Sequence, residues 1–146
     1  MERKKFLTVC GTGCLGLMVA PMLLQSCMST KFIAATLNGA FLEFPISEFI
    51  ESHKEPIKYR NYVITYHEKL KYPICVYRIS EGEFKALLMR CTHQGTELQV
   101  FGDRLQCPAH GSEFSNLGVV KNGPAEESLR TFPVEVNQNL IKINLS

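Results

Sequence analysis

Two short cysteine–histidine pairs constrain this chain more than any other feature: Cys91-Thr92-His93 and Cys107-Pro108-Ala109-His110, with thirteen residues between His93 and Cys107. Thiolates and neutral imidazoles are prime transition-metal ligands, the first softer than the second. Two of each, so close in sequence, ask for a fold that sets two loops side by side. The intervening segment suits that need. Residues 98–101 and 104–106 are strand-like and flank Gly102-Asp103, a favourable hairpin turn. A hairpin brings its ends together, so the two loops become neighbours.

The rest of the chain after residue 31 reads as strands. Residues 32–37 and 40–44 flank Asn38-Gly39 and predict a hairpin. Residues 45–50 leave the sheet, and the charged stretch 51–60, with Pro56, is expected to be a solvated loop. Residues 62–66, 74–79 and 84–89 are rich in β-branched and aromatic side chains, the last running directly into Cys91. Residues 129–136 and 140–145, around a turn at Asn137-Gln138-Asn139, predict a closing hairpin. No sustained helical period occurs. The expected fold is all-β: an antiparallel sandwich or barrel of short strands over 32–146, with a small two-loop subdomain at about 90–115.

The formal net charge is +2, and Arg3, Lys4 and Lys5 against Glu2 account for it. The remainder is balanced and carries no electrostatic footprint for nucleic acid. After that basic start no charge occurs from Phe6 through Thr30, the layout of a secretory signal or membrane anchor over residues 1–27. Leu24-Gln25-Ser26-Cys27 resembles a bacterial lipobox, with Cys27 as the lipidated residue. Arg3-Lys4-Lys5-Phe6-Leu7 resembles a degenerate twin-arginine signal, the kind that exports folded proteins. The uncharged run is also long enough for a retained transmembrane helix. Each alternative places the domain in the bacterial cell envelope, periplasmic or on the outer side of a membrane. Cys10, Cys14 and Cys27 lie in this segment and Cys91 and Cys107 in the motif. Cys75 is left alone, so the cysteines are not a disulfide framework; a buried, inert thiol is expected there. His53 and His67 fall in polar stretches and are expected at the surface.

The runs Cys91-Thr92-His93-Gln94-Gly95 and Cys107-Pro108-Ala109-His110-Gly111-Ser112 resemble the two cluster-binding loops of the Rieske iron–sulfur protein family. The resemblance extends over about 37–146 and is strongest over 91–125. It implies a [2Fe–2S] cluster with one iron on Cys91 and Cys107 and the other on His93 and His110. It also implies one-electron transfer, with no substrate site of the chain's own. Two neutral imidazoles in place of two thiolates make the oxidised cluster neutral, so an added electron is better tolerated. Such centres span about −150 to +300 mV, against about −400 mV for plant-type ferredoxins.

By the same resemblance, Ser112 occupies the position of a hydroxyl that donates to a bridging sulfide in high-potential members. Phe114 stands where those members have a sulfur-bonding tyrosine. Thr96 and Ala109 stand where they have disulfide cysteines. A potential between the ferredoxin and respiratory extremes is therefore expected. Residues 122–125 look like the loop that covers the cluster. A structural zinc site is the competing reading of two cysteines and two histidines, although zinc sites favour unmixed pairs. An oxygenase would need a further iron domain, for which the chain lacks length; a ferredoxin serving an oxygenase fits the size but not the export signal. The expected partner is a redox protein: a cytochrome, a quinol-oxidising complex or a molybdenum oxidase subunit, with the membrane reached through lipid or helix.

Overall fold

β-Branched and aromatic runs become strands wherever a neighbour can complete their hydrogen bonds. The computed structural model describes residues 30–146; the expected signal or anchor segment and Cys27 lie outside the described residues. The first strands are β1 Phe32–Ala34, β2 Thr36–Asn38 and β3 Phe41–Pro45, then a 3-10 helix Ile46–Phe49. Next come β4 Ile50–Ser52, β5 Lys58–Tyr59, β6 Tyr62–Tyr66, β7 Ile74–Ser80 and β8 Glu83–Leu88. The motif region holds β9 Gln99–Phe101, β10 Arg104–Gln106, β11 Glu113–Ser115 and β12 Val120–Asn122. The chain closes with β13 Thr131–Phe132, β14 Val134–Asn137 and β15 Leu140–Asn144. Among the described residues no helix is long and apolar enough to cross a membrane.

The central sheet has the order β1-β6-β7-β8-β13, and two four-stranded sheets, β14-β15-β3-β2 and β12-β11-β10-β9, accompany it. Side chains alternate across a strand, and both faces of the central sheet are covered. Val63, Ile74, Val76 and Ala86 join Leu42, Phe44, Phe49, Ile141 and Ile143 in one core. Ile64, Cys75, Tyr77 and Leu87 join Leu105, Phe114, Cys91 and Cys107 in the other. Covering both faces explains why β6 and β7 read as unbroken apolar runs rather than alternating ones. The second core is what fixes the motif loops to the rest of the domain.

Three expectations need correction. The run 32–37 is not one strand: it bends at Ala35, so β1 pairs parallel with β6 while β2 pairs antiparallel with β3. The fold is thus not wholly antiparallel. Residues 51–60 are not simply a loop, because β4, which begins at Ile50, and β5 pair there as a small two-stranded ribbon. The expected strand 129–136 breaks at Pro133, which lacks the amide hydrogen a ladder needs; β13 belongs to the central sheet and β14 to another. The closing hairpin itself is present, with Gln138 and Asn139 at φ 47° and 70° in its turn. Those values suit a type I′ connection, where asparagine is favoured.

Candidate metal centre

Each cysteine–histidine pair sits in a six-residue loop at the end of a closed stem. In the first, the bridge between Arg90 and Glu97 closes residues 91–96. In the second, paired Gln106 and Glu113 close residues 107–112. The internal hydrogen bonds repeat as well. The Cys91 amide donates to the Thr96 carbonyl (2.8 Å) and the Gly95 amide to the Cys91 carbonyl (2.8 Å). Likewise the Cys107 amide donates to the Ser112 carbonyl (2.8 Å) and the Gly111 amide to the Cys107 carbonyl (3.0 Å). Gly95 and Gly111 adopt φ 76° and 77°, a left-handed conformation that costs glycine little and other residues more. The two loops are therefore copies of one local structure, with the histidine third in the first and fourth in the second.

This geometry gives the site two unlike ends. Cys91 and Cys107 are buried at 1% and 2% exposure and enter the same core. His93 and His110 are exposed, with ring centroids 5.1 Å apart and planes at 85°. Burial pushes the Cys107 thiol pKa up, but the backbone N–H groups of His110 and Ala109, helped by the side chains of Cys91 and Thr96, outweigh it. The net direction is down, which favours the thiolate that a metal requires.

The covering segment is pinned from both loops. The Ala125 amide donates to buried Ser112 Oγ at 3.0 Å, and Thr92 Oγ1 donates to the Glu127 carbonyl at 2.7 Å. Between this segment and the first loop lies a cleft of about 310 Å³ lined by Thr92, His93, Pro124, Glu126 and Glu127. Behind the first loop, the Tyr72 hydroxyl donates to the Gly95 carbonyl at 2.8 Å. Thr92 and Tyr72 were not singled out in the sequence. The hydroxyl within Cys-Thr-His was a readable hint of the first, but nothing local signals a contact made across twenty-three positions.

The donor set fits a two-iron cluster: two buried thiols and two exposed imidazoles have the mixed composition that a Rieske centre uses. His53 is exposed, and His67 accepts a hydrogen bond from the Lys69 amide at 3.2 Å in the turn after β6. Neither joins the site. Cys75 is fully buried in β7 as a free thiol. Desolvation by burial raises its pKa far above the usual thiol range. Cys75 therefore stays protonated at neutral and mildly alkaline pH. In native protein at pH 8, iodoacetamide is expected to leave it unmodified and to modify it only after unfolding; labelling at the rate of a free thiol would contradict this packing.

The family profile described as the Rieske [2Fe-2S] domain matches residues 53–133. Among solved structures, the cyanobacterial plasma membrane Rieske protein PetC3 from Synechocystis PCC 6803 is 29% identical, with a TM-score of 0.50. The match covers 57% of this chain and 85% of that one. A complex of reduced oxygenase and oxidised ferredoxin in carbazole 1,9a-dioxygenase matches at 22% identity and TM-score 0.54, covering 74% of this chain and 95% of the other. Naphthalene 1,2-dioxygenase with bound indole matches at 20% and 0.54, covering 73% of this chain and 26% of its own. The last two likenesses are of fold alone. Among curated proteins none matches the chain at a significant level. The profile spans more than half of the sequence and takes in both motif loops, so this chain belongs to the Rieske [2Fe–2S] domain family.

Proposed function

We propose that Cys91 and Cys107 bind one iron of the cluster and His93 and His110 the other, and that the chain is a membrane-tethered one-electron carrier. The cluster supplies the redox chemistry: it takes up and returns a single electron. The protein's part is to seat the sulfur end in the core and to keep water from it. The observation that carries the reading is the contrast between cysteines at 1% and 2% exposure and two exposed imidazoles 5.1 Å apart. Electron transfer weakens steeply with distance, so the exposed histidine edge is where a partner protein docks. Buried Ser112 and Ala125 would shield the cluster, while His93 and His110 stay exposed.

The tether rests on residues 1–27, whose basic start, uncharged run and Cys27 suit a lipoprotein or a retained anchor. The likeness to PetC3, a plasma membrane protein by its description, supports the same location. The partner is then a redox protein of the cell envelope: a cytochrome, a quinol-oxidising complex or a molybdenum oxidase to which this chain is the small subunit.

Fractionation of cells expressing the full chain tests this. Detergent, but not high salt, is expected to release it from membranes, and Cys27→Ala is expected to alter the mass of the mature N-terminus. Recovery of native chain with an intact Met1 from the soluble cytoplasm would contradict it, and would favour a ferredoxin serving an oxygenase.

A further inference from the structure

We propose that the groove between β1 and β9 seats the domain on a lipid bilayer, with the rings of Phe32 and Phe101 entering the headgroup layer. The proposal rests on the membrane tether proposed above and names the surface that the tether brings into contact. β1 stands at one end of the central sheet and β9 at one end of the motif sheet. A groove of about 320 Å³ lies between them, and its apolar lining includes Phe32, Ile64, Pro73, Met89, Val100 and Phe101. Phe32 is 62% exposed and Phe101 49%. Two exposed aromatic rings beside one apolar groove form a contact surface, where single exposed rings would need no explanation.

The occupant follows from where the chain enters the groove. Thr30 lines it too, and this end of the chain is pinned. The Thr30 and Tyr62 hydroxyls are hydrogen-bonded at 3.0 Å, and the Ile64 amide donates to the Lys31 carbonyl at 2.9 Å. Lys31 also pairs with Glu48 at 2.6 Å. Cys27 precedes Thr30 by three residues, a span of at most about 11 Å when fully extended. A lipid on Cys27 and an anchor ending there therefore have one consequence: either brings the groove within reach of the headgroups. Depth is limited by the backbone. Sheet edges such as β1 and β9 need polar partners, which the headgroup layer supplies and the hydrocarbon interior does not. Glu97, the one charged residue in the described lining, is exposed and stays hydrated at that depth.

The contact orients the redox site. The groove is lined by the stem of the first ligand loop, with Met89 on one side and residues 97–101 on the other. The described lining includes no residue of 91–96 or 107–112. Seating the groove on a membrane thus holds the domain by the stem and leaves exposed His93 and His110 open to a partner. A tether alone keeps the protein near the membrane; the groove adds a second attachment and hence an orientation.

The chain has no tryptophan, so Phe32→Trp and Phe101→Trp each place a single fluorophore at the groove. Val136→Trp, at an exposed position of β14, places one on the sheet that covers the other face of the central sheet. Each full-chain variant is reconstituted from detergent into phosphatidylethanolamine–phosphatidylglycerol vesicles, with and without brominated acyl chains, and vesicle flotation is measured beside the native chain. Emission from both groove positions is expected to fall about twofold or more with brominated chains, as for side chains at the headgroup–acyl boundary, while emission from Val136→Trp stays unchanged. Groove positions indifferent to bromine in a chain that floats would overturn the proposal, leave the tether standing, and assign the groove to a second copy or a partner protein. Equal quenching at all the positions would overturn it as contact without orientation. A native chain that fails to float would overturn the tether, and this proposal with it. If a tryptophan variant does not fold, oxidative footprinting of the native chain on vesicles reads the same face: Phe32 and Phe101 are expected to be protected and exposed Tyr59 labelled, and labelling of all of them would overturn the proposal.

Discussion

Cys107→Ala is expected to yield a folded β domain with no iron–sulfur cluster: visible absorption vanishes and far-ultraviolet circular dichroism stays that of strands. The two cores separate the effects. Leu42, Phe44, Phe49, Ile141, Ile143 and their neighbours pack on the central sheet without any contribution from the ligand loops. Truncating one buried sulfur removes little apolar area, a cost of about 1 kcal/mol. On the proposed assignment the cluster would lose one of four ligands, and the one whose sulfur is prepared by two backbone N–H groups. Because cluster binding stabilises the native state alone, the melting temperature falls toward that of the apo protein. Iron content and absorption of the purified variant check this; a native iron content would remove Cys107 from the ligand set.

Ser112→Ala has the second largest expected effect, and it acts on two measurements at once. Ser112 is fully buried, and its oxygen accepts the Ala125 amide hydrogen at 3.0 Å. Removing the oxygen leaves that amide unpaired in a dry place, which costs about 1–3 kcal/mol. The covering segment then hangs on the contact from Thr92 to Glu127. A hydroxyl also has a hydrogen to give, and the resemblance to high-potential members implies that it would go to a bridging sulfide. Its loss disfavours the reduced cluster, so the midpoint is expected to fall by an amount on the order of 59 mV, a tenfold change in equilibrium. Voltammetry and thermal unfolding of one sample read both. Unchanged potential with lowered stability would make Ser112 a packing residue only.

The parts of this molecule legible in the sequence are those with local causes. Gly102-Asp103 makes a hairpin because of what two adjacent residues allow, and β9 and β10 lie on either side of it. The strands containing Tyr62–Tyr66 and Ile74–Ser80 are announced by β-branched and aromatic side chains. The four candidate ligands stand out because no ordinary core uses that spacing. What escaped has non-local causes. The bend at Ala35 exists because β1 finds its partner in β6, thirty-two residues on, and the Ala35 amide donates to the Tyr66 carbonyl at 3.1 Å. Strands β11 and β12 carry Glu113, Ser115, Lys121 and Asn122 with few apolar residues; they form because β10 offers an edge next to the second loop. The brace from Tyr72 to Gly95 likewise depends on a turn folding back over the site.

The central claim is a two-iron centre held by two buried cysteines and two exposed histidines. Combined metal and acid-labile sulfide analysis of the native chain, with EPR of the dithionite-reduced sample, tests it most directly. The account predicts two iron and two sulfide per chain, and a rhombic signal whose hyperfine structure shows two coordinating nitrogens. One zinc per chain with no labile sulfide, or an iron centre with no nitrogen coupling, would contradict it.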